Sequence, residues 1–369
     1  MNISVDKNIT SGKEAFSTIG TVDVVDGRSL TNRQSKYSDA LVVRSVTNVN
    51  EELLKNTPVK FVATATIGTD HLDKEYLDSA GIKYFSAPGC NSTAVTEYIL
   101  SALSQLLPHN NKKFGESSIG IIGVGNIGSK LARAAELLGM QVVLNDPPRE
   151  KMEKSDKFSS LEAALRCDIV SFHTPLTREG EYKTYHLLNE QNINLIKPGA
   201  IILNASRGAV TKNSVLLNRI SQKNDITLAL DVWENEPNIS TELLKLVNIA
   251  TPHIAGYSLE GKVNGTYACY KNLCDFTGVS QLWQPDLPEI EEYQINVTEL
   301  STEEALSEIF NKIYNISSDD KSLRNYSGDI AVYFDNLRKT YPVRRESKGY
   351  DVKSDDEVII KLMNYLAGI

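Results

Sequence analysis

The chain has 369 residues, about two to three domains' worth, of which 41% are hydrophobic, 23% charged and 7% aromatic. That composition excludes disordered, collagen-like and fibrous proteins. With 39 Lys and Arg against 47 Asp and Glu, the formal charge of −8 leaves no footprint for nucleic acid or an anionic membrane.

Cys90, Cys167, Cys269 and Cys274 form no CxxC pair and lack zinc-site spacing. No metal is therefore expected, and a reducing cytoplasm fits them best. Met1 leads straight into Asn2-Ile3-Ser4-Val5 without a basic, then apolar, leader. No run approaches the ~18 apolar residues of a membrane helix. The expectation is a cytoplasmic protein with no membrane or nucleic-acid partner.

In chain order, short β-branched runs at Ile3-Val5, Thr21-Val25, Ala40-Arg44, Phe61-Ala65 and Lys83-Ser86 alternate with helical patterns such as Asp73-Ala80. This alternation predicts βαβ units and a parallel sheet. A long amphipathic helix follows over Ala94 to Leu107, and Pro108-His109-Asn110-Asn111-Lys112-Lys113 reads as its break and a domain crossing. A second βαβ series then begins, with strands at Ile119-Ile122, Val142-Asn145, Asp168-Phe172, Ala200-Asn204, Ile226-Asp231 and Val247-Thr251. Six strands suffice for a doubly wound sheet. A helix over about Ser258 to Thr277 precedes a linker at Pro285 and Pro288. The remaining tail mixes strand-like Gln294-Thr298 with helix-like Thr302-Tyr314, as expected of an α+β association module.

Gly123-Val124-Gly125-Asn126-Ile127-Gly128 lies between the strand Ile119-Ile122 and a helical run through Leu131, Ala134, Ala135 and Leu138. This is the strand-turn-helix context in which glycines let backbone amides and a helix N-terminus receive a dinucleotide pyrophosphate. Asp146, 18 residues after Gly128 at the end of the next strand, has the spacing of the acid that holds the adenosine ribose hydroxyls. NAD is the expected cofactor, because Asp146 repels a 2′-phosphate. Arg149 leaves NADP open.

Three polar groups follow later strands: Arg207 after Ala200-Asn204, Asp231 and Glu236 after Ile226-Leu230, and His253 after Val247-Thr251. Ligands of open α/β sheets bind at those strand ends. Oxidising an alcohol by hydride transfer needs a base, and imidazole suits that task near neutral pH. His253 is the candidate, with Glu236 to orient it and Glu234 as a local competitor. Arg207 suits a carboxylate-bearing substrate, since its planar fork binds oxyanions bidentately. A core histidine, a solvated loop acid and a surface arginine remain the alternatives for each residue taken singly.

Taken together, the fingerprint, Asn204-Ala205-Ser206-Arg207-Gly208-Ala209-Val210, Asp231-Val232-Trp233-Glu234-Asn235-Glu236-Pro237 and Thr251-Pro252-His253-Ile254-Ala255-Gly256 resemble the D-isomer-specific 2-hydroxyacid dehydrogenases over nearly the whole chain. Val43-Arg44-Ser45-Val46-Thr47, Gly68-Thr69-Asp70-His71, Gly256-Tyr257-Ser258 and, in the tail, Phe334-Asp335-Asn336-Leu337-Arg338-Lys339 with Arg344-Arg345-Glu346 are similar to a branch acting on a 4-phosphorylated 2-hydroxy acid.

The resemblance implies Arg207, Glu236 and His253 as active-site residues. It implies cofactor contacts at Asn126, Ile127, Asp146, Thr174, Ala205, Ser206, Arg207, Asp231 and Gly256, beside the fingerprint glycines Gly123, Gly125 and Gly128. Substrate contacts follow at Ser45, Thr66 and Tyr257, with Arg44, aided by Arg344 or Arg345, as a source of positive charge for the phosphate. The implied fold is α/β: a Rossmann domain over 96–255, a discontinuous flavodoxin-like substrate domain over 1–95 and 256–285, and a small α+β dimerisation domain over 286–369. Substrate is expected between the first two. A related enzyme acting on 3-phosphoglycerate, glycerate or hydroxypyruvate, or a non-catalytic NAD-sensing protein, are the alternatives.

Overall fold

The computed structural model describes all residues, 1–369. Their contacts form two compact units, Met1–Asn91 with Ser258–Pro288, and Ser92–Tyr257 with Glu289–Ile369.

The first unit is built on β1 (Asn2–Asp6), β2 (Thr21–Val25), β3 (Ala40–Val43), β4 (Phe61–Thr64) and β5 (Lys83–Phe85). They lie in the order β2-β1-β3-β4-β5, parallel throughout. That is the flavodoxin-like order. β3 and β4 are buried at every position, which is why their sequences are unbroken apolar runs instead of alternating ones. The helix Leu259–Thr277 is capped by Ser258, whose hydroxyl accepts the Gly261 amide at 2.8 Å, and lays Val263, Cys269, Tyr270 and Leu273 into the core holding Val5, Val42 and Phe61.

The second unit contains β6 (Ser118–Ile122), β7 (Gln141–Asn145), β8 (Ile169–Phe172), β9 (Ala200–Asn204), β10 (Ile226–Leu230) and β11 (Ile249–Ala250). Their parallel order is β11-β10-β9-β8-β6-β7. Counted from β6 this is 2-1-3-4-5-6, not the 3-2-1-4-5-6 commonest in dinucleotide-binding sheets, so the strand order reverses between β6 and β8. The ends of β6 and β8 flank that switch point, where an open α/β sheet leaves its crevice.

Pro108 does not end the preceding helix, which runs over Ser92–His109. A proline in a last turn forfeits one amide bond only, and the Asn110 and Lys112 amides return to the Leu106 and Leu107 carbonyls. Leu100, Leu103, Leu106 and Leu107 are buried along the helix, so packing outweighs the local signal.

The C-terminal segment shares that core. β12 (Gln294–Asn296) pairs in parallel with β13 (Asp351–Lys353). Four helices, Thr302–Ile313, Ile316–Arg324, Ile330–Lys339 and Glu357–Ala367, accompany them. Leu306, Ile309, Phe310, Leu362 and Leu366 join Tyr98, Leu103 and Ile119 in one cluster. Asp320 accepts the Ala250 amide at 2.7 Å, and Arg324 donates to the Leu244 and Val247 carbonyls, so this segment satisfies the edge of the sheet at β11.

Candidate active site

The loop after β6 turns at Gly123, where φ is +90°. A Cβ there would sit 2.7 Å from the His173 carbonyl carbon, and one on Gly128 would sit 2.0 Å from the Gly123 carbonyl oxygen. A Cβ on Gly125 would meet nothing within 4 Å. The outer glycines thus permit close packing, while the middle one borders open space through which a phosphate reaches the backbone. The helix Asn126–Leu137 begins there with no side-chain cap on its first amides, which leaves an anion site.

Asp146, directly after β7, accepts the Val124 amide at 2.7 Å and the Arg149 amide at 3.1 Å. The Arg149 guanidinium is turned onto Glu153, its Nε 2.6 Å from Oε1, and also contacts the Val124 carbonyl. Asp146 thus caps the helix Pro147–Glu153 and borders the glycine loop, with its neighbouring arginine paired to Glu153. At the end of β8, Thr174 Oγ1 and His173 Nδ1 are buried without a hydrogen-bond partner. Burial pushes the His173 ring down to about 4, so it is neutral at physiological pH. The bordered cradle at Gly125, the Asp146 carboxylate and the orphaned Thr174 hydroxyl are groups that NAD would satisfy.

Arg207 follows β9 in a loop fixed by Asn204, whose amide oxygen accepts the Ser206 amide and hydroxyl at 3.1 and 2.8 Å. A Cβ on Gly208 would lie 1.9 Å from the Trp233 carbonyl atoms. Absence of that side chain lets the Arg207 loop lie directly on the loop after β10. In the latter, Glu236 accepts the Trp233 amide at 2.8 Å through Oε1, and its Oε2 is 2.6 Å from His253 Nδ1. Burial would raise the Glu236 carboxyl, but the His253 ring, the Trp233 amide and the Arg338 charge outweigh it and hold the carboxyl below its ordinary range. His253 sits in the left-handed region at φ 56°. Asp231 stabilises that conformation: its carbonyl accepts the His253 amide at 2.7 Å, and its carboxylate accepts the Ile254 and Ala255 amides and the Thr251 hydroxyl.

Glu234, the sequence competitor of Glu236, is committed elsewhere. It contacts His186 Nε2 at 2.6 Å and accepts the Asn213 amide at 2.7 Å. Asp231, expected at the cofactor, has both carboxylate oxygens bound to the His253 loop. Ala205, Ser206 and Gly256 lie in the loops that carry Arg207 and His253.

In the first unit, β3 and β4 are neighbours, and Arg44, Ser45 and Thr66 follow their carboxyl ends. Arg44 Nε is 3.3 Å from Asp6 Oδ1, with its side chain 30% exposed. Thr66 bonds to Thr64 at 2.8 Å and donates to the Gly68 carbonyl.

The tail arginines Arg338 and Arg344 are placed differently. Arg344 is buried, its Cζ 4.2 Å from the Tyr314 ring centroid and its Nη2 on the Ala255 carbonyl at 2.5 Å, so it anchors the His253 loop instead of reaching outward. Arg338, its side chain 24% exposed, donates to the Tyr257 hydroxyl at 3.2 Å. Nothing in the sequence separates Arg338 from its neighbours except its place in Phe334-Lys339.

Residues 104–255 match the family model described as D-isomer specific 2-hydroxyacid dehydrogenase, NAD binding domain, and residues 287–366 match a model described only as a domain of unknown function. The erythronate-4-phosphate dehydrogenase of Proteus mirabilis is 44% identical over 99% of this chain and 98% of its own. That of Escherichia coli O1:K1 is 43% identical over 98% and 97%. Among solved structures, NAD-bound 3-phosphoglycerate dehydrogenase of Entamoeba histolytica matches 75% of this chain and 95% of its own, with TM-score 0.64 and 23% identity. D-lactate dehydrogenase of Aquifex aeolicus, complexed with NAD and lactic acid, matches 75% and 96% with TM-score 0.62 and 23% identity. The structures share the fold, the sequences share nearly the full length, and the chain belongs to the erythronate-4-phosphate dehydrogenase family, as an NAD-dependent oxidoreductase with a D-2-hydroxyacid dehydrogenase NAD-binding domain.

Proposed function

We propose that this enzyme oxidises 4-phospho-D-erythronate at C2 to (R)-3-hydroxy-2-oxo-4-phosphooxybutanoate, a step toward vitamin B6. The observation that carries this reading is full-length likeness to relatives of that name, joined to a His253–Glu236 contact of 2.6 Å beside the Arg207 loop. When bound, NAD supplies an acceptor for the C2 hydride.

His253 takes the C2 hydroxyl proton on Nε2, so that the electrons of the breaking C2–H bond leave as hydride while the carbonyl forms. Glu236 accepts Nδ1–H, which fixes the tautomer with Nε2 unprotonated and stabilises the imidazolium as it forms. Arg207 orients the carboxylate and C2 oxygen. Asp231 holds the His253 loop. Gly123, Gly125, Asn126, Ile127, Gly128, Asp146, Thr174, Ala205, Ser206, Arg207, Asp231 and Gly256 are assigned to the cofactor, and Arg44, Ser45, Thr66 and Tyr257 to the substrate. The C-terminal residues 286–369 are assigned to homodimer formation, and the four unbridged cysteines favour a cytoplasmic location.

The test is NADH formation from NAD with 4-phospho-D-erythronate, D-erythronate, 3-phosphoglycerate and D-glycerate, with a 2-oxo acid acceptor run in parallel. Strong preference for the first is expected. Faster turnover of another acid would move the assignment within the family.

A further inference from the structure

We propose that Arg338, carried by the C-terminal segment, is a specificity-determining residue: it positions the Tyr257 hydroxyl and supplies the cation that recognises the substrate's second anion, its phosphate. This rests on the reading of function above.

A simple 2-hydroxy acid is served by Arg207 for its carboxylate and His253 with Glu236 for its hydroxyl. A phosphorylated one brings roughly −1.5 to −2 further charge with oxygens that favour a guanidinium. In the catalytic unit Arg149 is paired with Glu153, Arg324 serves the Leu244 and Val247 carbonyls with Asp320, and Arg344 lies stacked on Tyr314.

Arg338 is placed differently. Its Nη2 donates to Tyr257 Oη at 3.2 Å, and its Cζ is 5.9 Å from that ring's centroid. Tyr257 directly follows the loop carrying His253, and Tyr341 packs edge-on against it with centroids 5.7 Å apart, so the ring has one settled orientation. The Arg338 side chain is 24% exposed, and its carboxylate neighbour Asp335 lies 4.0 Å from Nη1, the outer limit of an ion pair. Its Nε is sealed from water with no acceptor.

The mostly buried Arg338 guanidinium is held by the Tyr257 hydroxyl, by Asp335 at 4.0 Å and by the charge of Glu236, yet only one of its N–H groups has a close acceptor, so its remaining donors suit an incoming oxyanion. A hydroxyl that accepts a hydrogen bond from a cation is also a stronger donor, so Arg338 sharpens Tyr257 toward an oxyanion.

Arg338→Gln and Arg338→Lys are compared with the unaltered enzyme on 4-phospho-D-erythronate and D-erythronate, with NADH binding followed by fluorescence to report an intact nucleotide site. Arg338→Gln also removes a charge that helps hold Glu236 ionised, so kcat is expected to fall on both acids, whereas KM should rise by ~10-fold or more for the phosphorylated acid and by less than ~3-fold for D-erythronate. Arg338→Lys should recover part of the loss, and inorganic phosphate should inhibit the unaltered enzyme but not Arg338→Gln. An equal change of KM on both acids, or none, overturns the proposal while leaving the reaction assigned. An unaltered enzyme that does not prefer the phosphorylated acid overturns the functional reading itself, and this inference with it.

Discussion

Replacing Glu236 by glutamine should damage catalysis more than replacing it by alanine. Oε1 accepts the Trp233 amide at 2.8 Å and Oε2 faces His253 Nδ1 at 2.6 Å. In Glu236→Gln the Trp233 amide selects the amide oxygen, which turns the NH2 group toward Nδ1. Nδ1 must then accept, and the proton moves to Nε2, the atom that has to receive the hydroxyl proton. Restoring the active tautomer requires flipping the amide, which sets NH2 against the Trp233 N–H at about 1–3 kcal/mol for the unmade bond. The imidazolium also loses a charge-assisted bond of about 1.5–3 kcal/mol. Together they reach roughly 2.5–6 kcal/mol, or a fall in kcat of ~10²–10⁴-fold. Glu236→Ala removes the carboxylate but imposes no tautomer, so it should retain several-fold more activity. Both variants are measured by NADH formation, with NADH fluorescence titration as a control. Glutamine milder than alanine, or near-unaltered turnover in either, would refute the pairing of Glu236 with a catalytic His253.

His253→Ala should lower kcat by ~10²–10⁴-fold while NADH binding persists, and turnover close to the unaltered enzyme would remove His253 from the chemistry. Gly128→Ala sets a Cβ 2.0 Å from the Gly123 carbonyl oxygen, so NADH affinity should fall by ~10-fold or more in a fluorescence titration, and an unchanged affinity would contradict the packing. Asp146→Asn removes the charge facing a 2′-phosphate and gives up one of the two backbone amides Asp146 accepts, a loss common to both cofactors, so the ratio of kcat/KM with NADP to that with NAD should rise by about 10-fold. An unmoved ratio would mean that another group sets the preference. Glu97 is buried, and burial with the nearby Glu346 charge pushes its carboxyl from 4.5 to about 8. Because the folded-state value is the higher one, this group's contribution to stability falls as pH rises from about 4.5 to about 8, by up to ~1.4 kcal/mol per pH unit. Glu97→Gln should therefore gain thermal stability over the unaltered chain increasingly across that range, and a pH-independent difference in Tm would contradict the raised value.

Local pattern and spacing determined much of this protein. Unbroken apolar runs such as Ala40–Val43 can be satisfied only by burial on both faces, so the parallel sheets were legible before any contact was known. The glycine loop with its following helix and Asp146 was equally legible, because each feature depends on backbone conformation within a few residues. The tertiary structure decided what depends on partners distant in sequence. Glu234 and Glu236 share one short motif, and only the positions of His186 and His253 assign them different partners. Pro108 carries a stop signal that the burial of Leu106 and Leu107 overrides. The choice between Arg338 and Arg344 could not be read from charge, since both are arginines of one polar tail. Tyr314 draws Arg344 into the core and Tyr257 holds Arg338 at the catalytic loop, and those partners are set by how helices of the tail pack, not by the residues beside each arginine.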